Sequence, residues 1–306
     1  MTTSAEMKKT PGTVGLVGVG TMGKCMLGRL IEGGYAVVAY DPVTEAMKYA
    51  EEKGAIPASS PFDLAEKARL VIMSLPAARH IFEVIRGKEG LIGALTAGHV
   101  LVDTSTVSPG TSREAASMIA EKGAKYVDAP ILGRPGAAGN WLMPAGGEEE
   151  AIAFVTPALL AFAKKIVRVG GVGAGNAIKL LNQLMFSVIN GVSAEVMAVA
   201  EAVGVDKKVF YEVVANSEAA TVSGLFKETA GRMITEDYDQ PTFTIDLLCK
   251  DAGLGIQMAN EAGVTPLIAG FVQMLNENAR GKGLGKKDTS SLIKVFQEHF
   301  QKIHDL

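Results

Sequence analysis

The sequence predicts an α/β protein. A doubly wound domain over residues 11–172 is followed by an all-helical domain over residues 173–306, and a long interdomain helix joins them. Three observations predict this. Up to about residue 170, short β-rich runs alternate with helical runs, the order of a parallel sheet covered by helices on both faces. The first run leads through a glycine-rich turn, Gly18-Val-Gly20-Thr-Met-Gly23, into the first helix. Beyond Gly175 the strand signals largely vanish and helical periodicity takes over.

Taken in order, Thr13–Val19 reads as a buried strand, with a helix around Met22–Glu32 and a second strand at Tyr35–Tyr40. Leu70–Leu75, Val100–Thr104 and Lys125–Asp128 are further strands, each preceded by an amphipathic helical stretch, and Ile166–Val169 closes this half. Asn176–Val203 reads as one helix, roughly 40 Å long at 1.5 Å per residue. Further helices are expected at Lys207–Asn216, Ser223–Thr235, Thr244–Ala262, Pro266–Arg280 and Thr289–Lys302.

The 306 residues suffice for two domains with a buried core. A formal net charge of −3 and the lack of a long Lys/Arg run argue against nucleic acid and anionic membrane as partners. No apolar stretch spans a bilayer without a charge. The polar opening Met1–Thr10 lacks an apolar signal core. Cys25 and Cys249 form neither a metal spacing nor a disulfide framework, so a reducing cytoplasm is expected.

The glycine turn sits where a dinucleotide fingerprint must sit, after a strand and before a helix. Gly18 permits the tight turn, Gly20 lets the backbone approach a pyrophosphate, and Gly23 allows close helix–strand packing. Thr21 and Met22 lie at the helix N-terminus, whose N–H groups and dipole favour the anion. Asp41 ends the second strand, where a carboxylate accepts hydrogen bonds from ribose hydroxyls. It would repel a 2′-phosphate, and Pro42 and Val43 bring no cation, so NAD is expected over NADP. Leu75-Pro76 and Ser105-Thr106 close later strands at the carboxyl edge, where open α/β sheets bind ligands.

Hydride transfer to or from an alcohol needs a group that exchanges the hydroxyl proton. The four histidines, His80, His99, His299 and His304, have no carboxylate at a telling spacing and read as structural or surface residues; no metal site is expected. Lys179 is the better candidate. Asn176, Lys179, Asn182 and Gln183 lie on adjacent rows of the long helix. Apolar neighbours deprive the lysine of solvation, which lowers its pKa and suits it to acid/base work near neutrality.

These blocks resemble the β-hydroxyacid dehydrogenase family, which includes 3-hydroxyisobutyrate dehydrogenases and tartronate semialdehyde reductases. The resemblance runs from about Thr13 into the C-terminal helices. It rests on Gly18-Val-Gly20-Thr-Met-Gly23, on Asp128-Ala-Pro-Ile-Leu-Gly133-Arg134-Pro, on Gly173-Ala-Gly175-Asn-Ala-Ile-Lys179 with Asn182-Gln183, and on Asp246-Leu-Leu-Cys-Lys250-Asp251. It implies a Rossmann domain and a helical domain with the active site between them, Lys179 as general acid/base, and Lys250 reaching the cofactor. It also implies Ser105, Leu132, Gly133, Arg134, Asn182 and Gln183 at the substrate, a small anionic hydroxy acid or aldehyde. A homodimer or homotetramer is implied as well, and the apolar interdomain helix suits extra burial.

The substrate block departs from the family's usual Asp-Ala-Pro-Val-Ser-Gly-Gly. Leu132 replaces the serine and Arg134 the second glycine. An arginine offers a planar fork to a carboxylate, sulfonate or phosphate. The loop to Gly146-Gly147 is about two residues shorter than usual and carries Trp141 and Pro144. The expected function is an NAD-dependent 3-hydroxyacid dehydrogenase. A sulfolactaldehyde reductase is the alternative. An imine reductase is disfavoured by Lys179, and a non-catalytic dinucleotide-binding module by the same lysine and by the lack of a reader domain.

Overall fold

The computed structural model describes residues 12–217 and 223–304, with side chains up to residue 298. The opening Met1–Thr10 and the side chains of His299 and His304 lie outside the described residues. The chain divides into two compact units, the first ending at Lys179 and the second beginning at Leu180. The division falls beyond the boundary expected at 172/173, because the first turn of the long helix is hydrogen-bonded back into the sheet of the first unit.

That sheet has eight strands: β1 (Thr13–Val17), β2 (Ala36–Tyr40), β3 (Ile56–Pro57), β4 (Leu70–Met73), β5 (Val100–Asp103), β6 (Lys125–Asp128), β7 (Trp141–Gly146) and β8 (Ala163–Gly170). Their spatial order is β3-β2-β1-β4-β5-β6-β7-β8. All neighbours are parallel except β6 and β7, which meet antiparallel at the single pair Asp128↔Gly146. The expected all-parallel sheet is thus corrected at β7, and β3 is added at the edge.

Period-two alternation feeds two cores, one on each face of the sheet. Leu16, Leu70 and Ile72 join Leu27, Leu30, Trp141 and Phe162 on one side. Val17, Val71 and Met73 join Leu64, Ile81, Ile85 and Ile119 on the other. Helices α1 (Thr21–Glu32), α2 (Thr44–Glu52), α3 (Pro61–Lys67), α4 (Ala78–Arg86), α5 (Pro109–Ala120) and α6 (Glu149–Leu159) complete the unit. Two of them start on a serine cap followed by proline: Ser60 accepts from Asp63 N and Ser108 from Thr111 N.

Helix α7 (Ala174–Ala202) begins in the first unit and continues through the second. The second unit adds α8 (Lys207–Ala215), α9 (Gly224–Thr235), α10 (Ile245–Glu261), α11 (Leu267–Ala279) and α12 (Ile293–His304). The helix expected at Thr289–Lys302 opens instead as a 3-10 turn over Thr289–Leu292. The core of this unit gathers Met197, Phe226, Met233, Ile245, Leu292 and Ile293. Asp288, buried within it, accepts from Thr242 N, Ser290 N and Ser290 Oγ, which ties the loop before α10 to the chain end.

Candidate active site

Strand order reverses between β1 and β4, so their carboxyl ends form the crevice in which such sheets bind ligands. Gly18 leaves β1 at φ +93°, where a side chain would be strained. A Cβ on Gly23 would overlap the Gly18 carbonyl, so the turn needs both glycines for its own packing. Gly20 differs: a Cβ there meets nothing within 4 Å. Helix α1 has no side-chain cap and no acid in its first turn. Its N–H groups therefore stand ready for an external anion, and the open space at Gly20 fits the approach of a pyrophosphate. Thr21 is exposed and Met22 half-buried beside it.

Asp41 stands at the end of β2 with both carboxylate oxygens engaged. Oδ2 accepts from Val19 N at 2.7 Å and Oδ1 from Val43 N at 2.9 Å. The acid is thus fixed against the glycine turn, and each oxygen keeps a lone pair for a ribose hydroxyl. These residues fit a nicotinamide dinucleotide.

Further along the edge, β5 ends in a polar relay. Buried Asp103 accepts from Ser105 N at 2.9 Å and from Tyr126 Oη at 2.8 Å. Ser105 Oγ in turn accepts from Leu75 N at 2.9 Å. Ser105, expected at the substrate, is therefore also what holds the Leu75-Pro76 turn, and Thr106 follows it half-buried. One residue on, Val107 N donates to Asn176 Oδ1 at 3.1 Å. Asn176 is fully buried in the first turn of α7. The relay Leu75–Ser105–Val107–Asn176 thus links the end of β4 to the turn that presents Lys179, which is half-buried.

The substrate block forms a pinched loop. Leu132 and Leu142 exchange backbone hydrogen bonds, which close the excursion that holds Gly133 and Arg134. The Trp141 indole, fully buried, donates from Nε1 to the Arg134 carbonyl at 2.8 Å. Arg29 of α1 donates to the Ala138 carbonyl at 2.9 Å. The loop is therefore seated on the helix that follows the glycine turn.

In the second unit, Gln183 and Asn182 part company. Gln183 is buried and donates from Nε2 to Asp251 Oδ2 at 2.7 Å, while Asn182 is exposed and reaches Gln183 Oε1 at 3.3 Å. Lys250 pairs with Asp251 Oδ1 at 3.0 Å. His99 is structural, as expected: its Nδ1 accepts from Thr96 N and its Nε2 faces the Ala65 carbonyl at 3.0 Å. Among the described residues no cluster of metal-ligating side chains occurs.

Sequence reasoning missed Asp103 and the roles of Trp141, Asn176 and Asp128. Asp103 had a signal, an acid ending the wholly apolar run Val100-Leu-Val. Asn176 and Asp128 act through partners far along the chain, and Trp141 through a backbone carbonyl seven residues away that no side-chain pattern marks.

Both parts of the chain match known protein families. The family described as the NAD binding domain of 6-phosphogluconate dehydrogenase matches residues 13–171. The family described as NAD-binding of NADP-dependent 3-hydroxyisobutyrate dehydrogenase matches residues 173–296. The mitochondrial 3-hydroxyisobutyrate dehydrogenase of Rattus norvegicus is 32% identical over 95% of this chain and 88% of its own length. The 3-sulfolactaldehyde reductase of Escherichia coli is 29% identical over 92% of this chain and 94% of its own. A crystal structure of a 3-hydroxyisobutyrate dehydrogenase from Salmonella typhimurium superposes with a TM-score of 0.85 at 27% identity, covering 92% of this chain and 99% of the other.

Proposed function

We propose that this chain, which belongs to the β-hydroxyacid dehydrogenase family, uses NAD to interconvert a small anionic 3-hydroxy acid and its aldehyde, with Lys179 exchanging the proton. Its hydroxyacid dehydrogenase chemistry and nicotinamide dinucleotide binding come with the family. The cofactor preference, the substrate and the role of the lysine are the inference.

One observation carries it: the Lys179 turn is bonded, through Asn176 and Val107, to the same carboxyl edge that holds the glycine turn and Ser105. A bound nicotinamide supplies or accepts the hydride. In reduction, the Lys179 ammonium gives a proton to the carbonyl oxygen as it becomes an alcohol; in oxidation, the free amine takes the hydroxyl proton. NAD is favoured because the fixed Asp41 carboxylate repels a 2′-phosphate and neither Pro42 nor Val43 offsets it. Arg134 supports an anionic substrate, and its fork suits a carboxylate or a sulfonate alike. The near-equal likeness to the sulfolactaldehyde reductase keeps the sulfonate as a second reading.

A panel of carboxylate and sulfonate aldehydes, assayed with NADH and NADPH, tests the assignment. Carboxylate aldehydes with NADH are expected to be turned over best; equal or better use of NADPH would sink the cofactor reading. Lys179→Ala is expected to keep the fold and cofactor affinity and to lower turnover by about a hundredfold to ten-thousandfold. Near-normal turnover in that variant would remove Lys179 from the mechanism.

A homo-oligomer and a cytoplasmic location belong to the same reading. The most apolar stretch of α7 is only half buried. Leu181, Met185, Val192 and Val199 recur on it at spacings of four and seven, each about half exposed. Leu267, Ile268, Phe271 and Met274 of α11 are 64–77% exposed. Apolar helix faces of this extent mark association surfaces. Light scattering is expected to give a dimer or tetramer, and a monomer at micromolar concentration would refute it. The two free thiols suit a reducing compartment.

A further inference from the structure

The N-terminus of α7 is tied to the sheet by a side chain far from it in sequence. Asp128, the last residue of β6, is fully buried. Its Oδ1 accepts from Gly173 N at 2.6 Å and its Oδ2 from Asn176 N at 2.7 Å. These N–H groups belong to the set that a helix start leaves without partners, and the helix dipole favours an anion there. The neighbours leave room for the carboxylate and no more. A Cβ on Gly175 would stand 2.6 Å from the Pro144 carbonyl and 2.9 Å from Asp128 Oδ2. Asn176 adds two more ties with its side chain, accepting from Val107 N and donating to Ser112 Oγ at 3.1 Å. Lys179 follows Asn176 by three residues, so its place depends on where this turn is held.

We propose that Asp128 is a positioning residue for the reaction: its carboxylate clamps the first turn of α7 and so sets where Lys179 is presented. The proposal rests on the acid/base reading of Lys179. Both oxygens of Asp128 act as acceptors, the pattern of an ionised carboxylate. Burial above all, then the nearby Asp103 carboxylate, raises its pKa to about 7, against the lowering effect of the two N–H groups. The other titratable or charged groups around it are Tyr126 on β6 and Arg113 on α5, which stands beside Gly173; Glu148, ahead of α6, pairs outward with Lys125. Protonation turns one acceptor oxygen into a hydroxyl and weakens the clamp, so the clamp is complete only above about pH 7.

The test uses the full chain and four variants: Asp128→Asn, Asn176→Ala, Lys179→Ala and the double variant Asp128→Asn/Lys179→Ala. Asp128→Asn is expected to lower kcat by about ten- to a hundredfold, the scale of an ångström-sized misplacement. KM and cofactor Kd should stay within about threefold, since neither depends on the lysine's aim. Asn176→Ala should show a smaller loss of the same kind, which keeps the idea testable if Asp128→Asn folds poorly. The double variant should be no slower than Lys179→Ala alone. The pH profile separates the two groups. A limb due to Lys179 reverses sign between reduction and oxidation, because the two directions need opposite protonation states. A limb due to Asp128 falls with decreasing pH through about 7 in both directions and vanishes in Asp128→Asn. Normal kcat in Asp128→Asn and Asn176→Ala, or additive losses in the double variant, would overturn the positioning role while leaving Lys179 in place. Near-normal turnover in Lys179→Ala would overturn the acid/base reading itself, and the inference with it.

Discussion

Among the described residues, six large apolar side chains of the first unit stand exposed, and they are spread over its strands, helices and turns. The smaller second unit exposes fourteen, of which eight lie on α7 and α11. The difference comes from the architecture. A sheet with helices on both faces buries both sides of every strand and the inner side of every helix. A layer of helices without a sheet satisfies only inner faces, and its outer faces stay apolar when something else is to cover them. Their buried polar groups, by contrast, are handled alike. In the first, Asp103, Asp128 and Asn176 are joined in hydrogen-bonded relays. In the second, Asp288 accepts from Thr242 and Ser290, Gln183 donates to Asp251, and the amides of Asn190 and Asn276 donate to the Thr289 carbonyl and to Ser187 Oγ. What separates the two units is the apolar surface they leave exposed.

Three measurements break or sharpen that contrast. The largest effect is expected from Trp141→Ala, which empties a site packed edge-on against Phe162 in the core of the first unit. It should cost about 3–5 kcal/mol in urea unfolding; a loss below about 1 kcal/mol would mean that this core relaxes freely. A smaller effect concerns pH. The Asp128 pKa rises on folding from an ordinary 3.8 to about 7. The stability this contributes is fully present below about pH 4 and lost as pH rises through 7, on the order of a few kcal/mol in all. Wild type should therefore lose more Tm between pH 6 and pH 8 than Asp128→Asn does, and equal slopes would refute the burial of this charge. Positioning and stability pull in opposite directions here, since the pH that completes the clamp also charges a buried group. The smallest change in folding stability is expected from Phe271→Ser on the exposed face of α11, within about 0.5 kcal/mol for the separated protomer. Light scattering should nonetheless show a lower mass than wild type. An unchanged mass would place the association surface elsewhere.

How much of this was legible in the sequence follows the same division between local and distant causes. The glycine turn, Asp41 and the span of α7 were readable because strand period, turn glycines and helix length are local signals. In sequence, strand β7 looks like a loop because it carries Pro144 between glycine-rich flanks. The structure tolerates that proline because β7 meets β6 at only one pair and needs no donor at Pro144 on that side. The Asp128 clamp joins residues 45 and 48 positions apart, and no periodicity reveals such a pair. That Gln183 is buried against Asp251 while Asn182 stands exposed likewise needed the fold.

The indole that holds the Arg134 carbonyl has a spectroscopic consequence. The chain contains a single tryptophan, so its intrinsic emission comes from one known place. That place is the fully buried Trp141, bonded at 2.8 Å to the backbone of the arginine proposed to meet the substrate. A dry indole emits toward the blue, and a loop that shifts when an anion arrives changes its hydration and its hydrogen bond together. The protein therefore carries its own optical reporter of the Arg134 loop, readable in a stopped-flow instrument without any label.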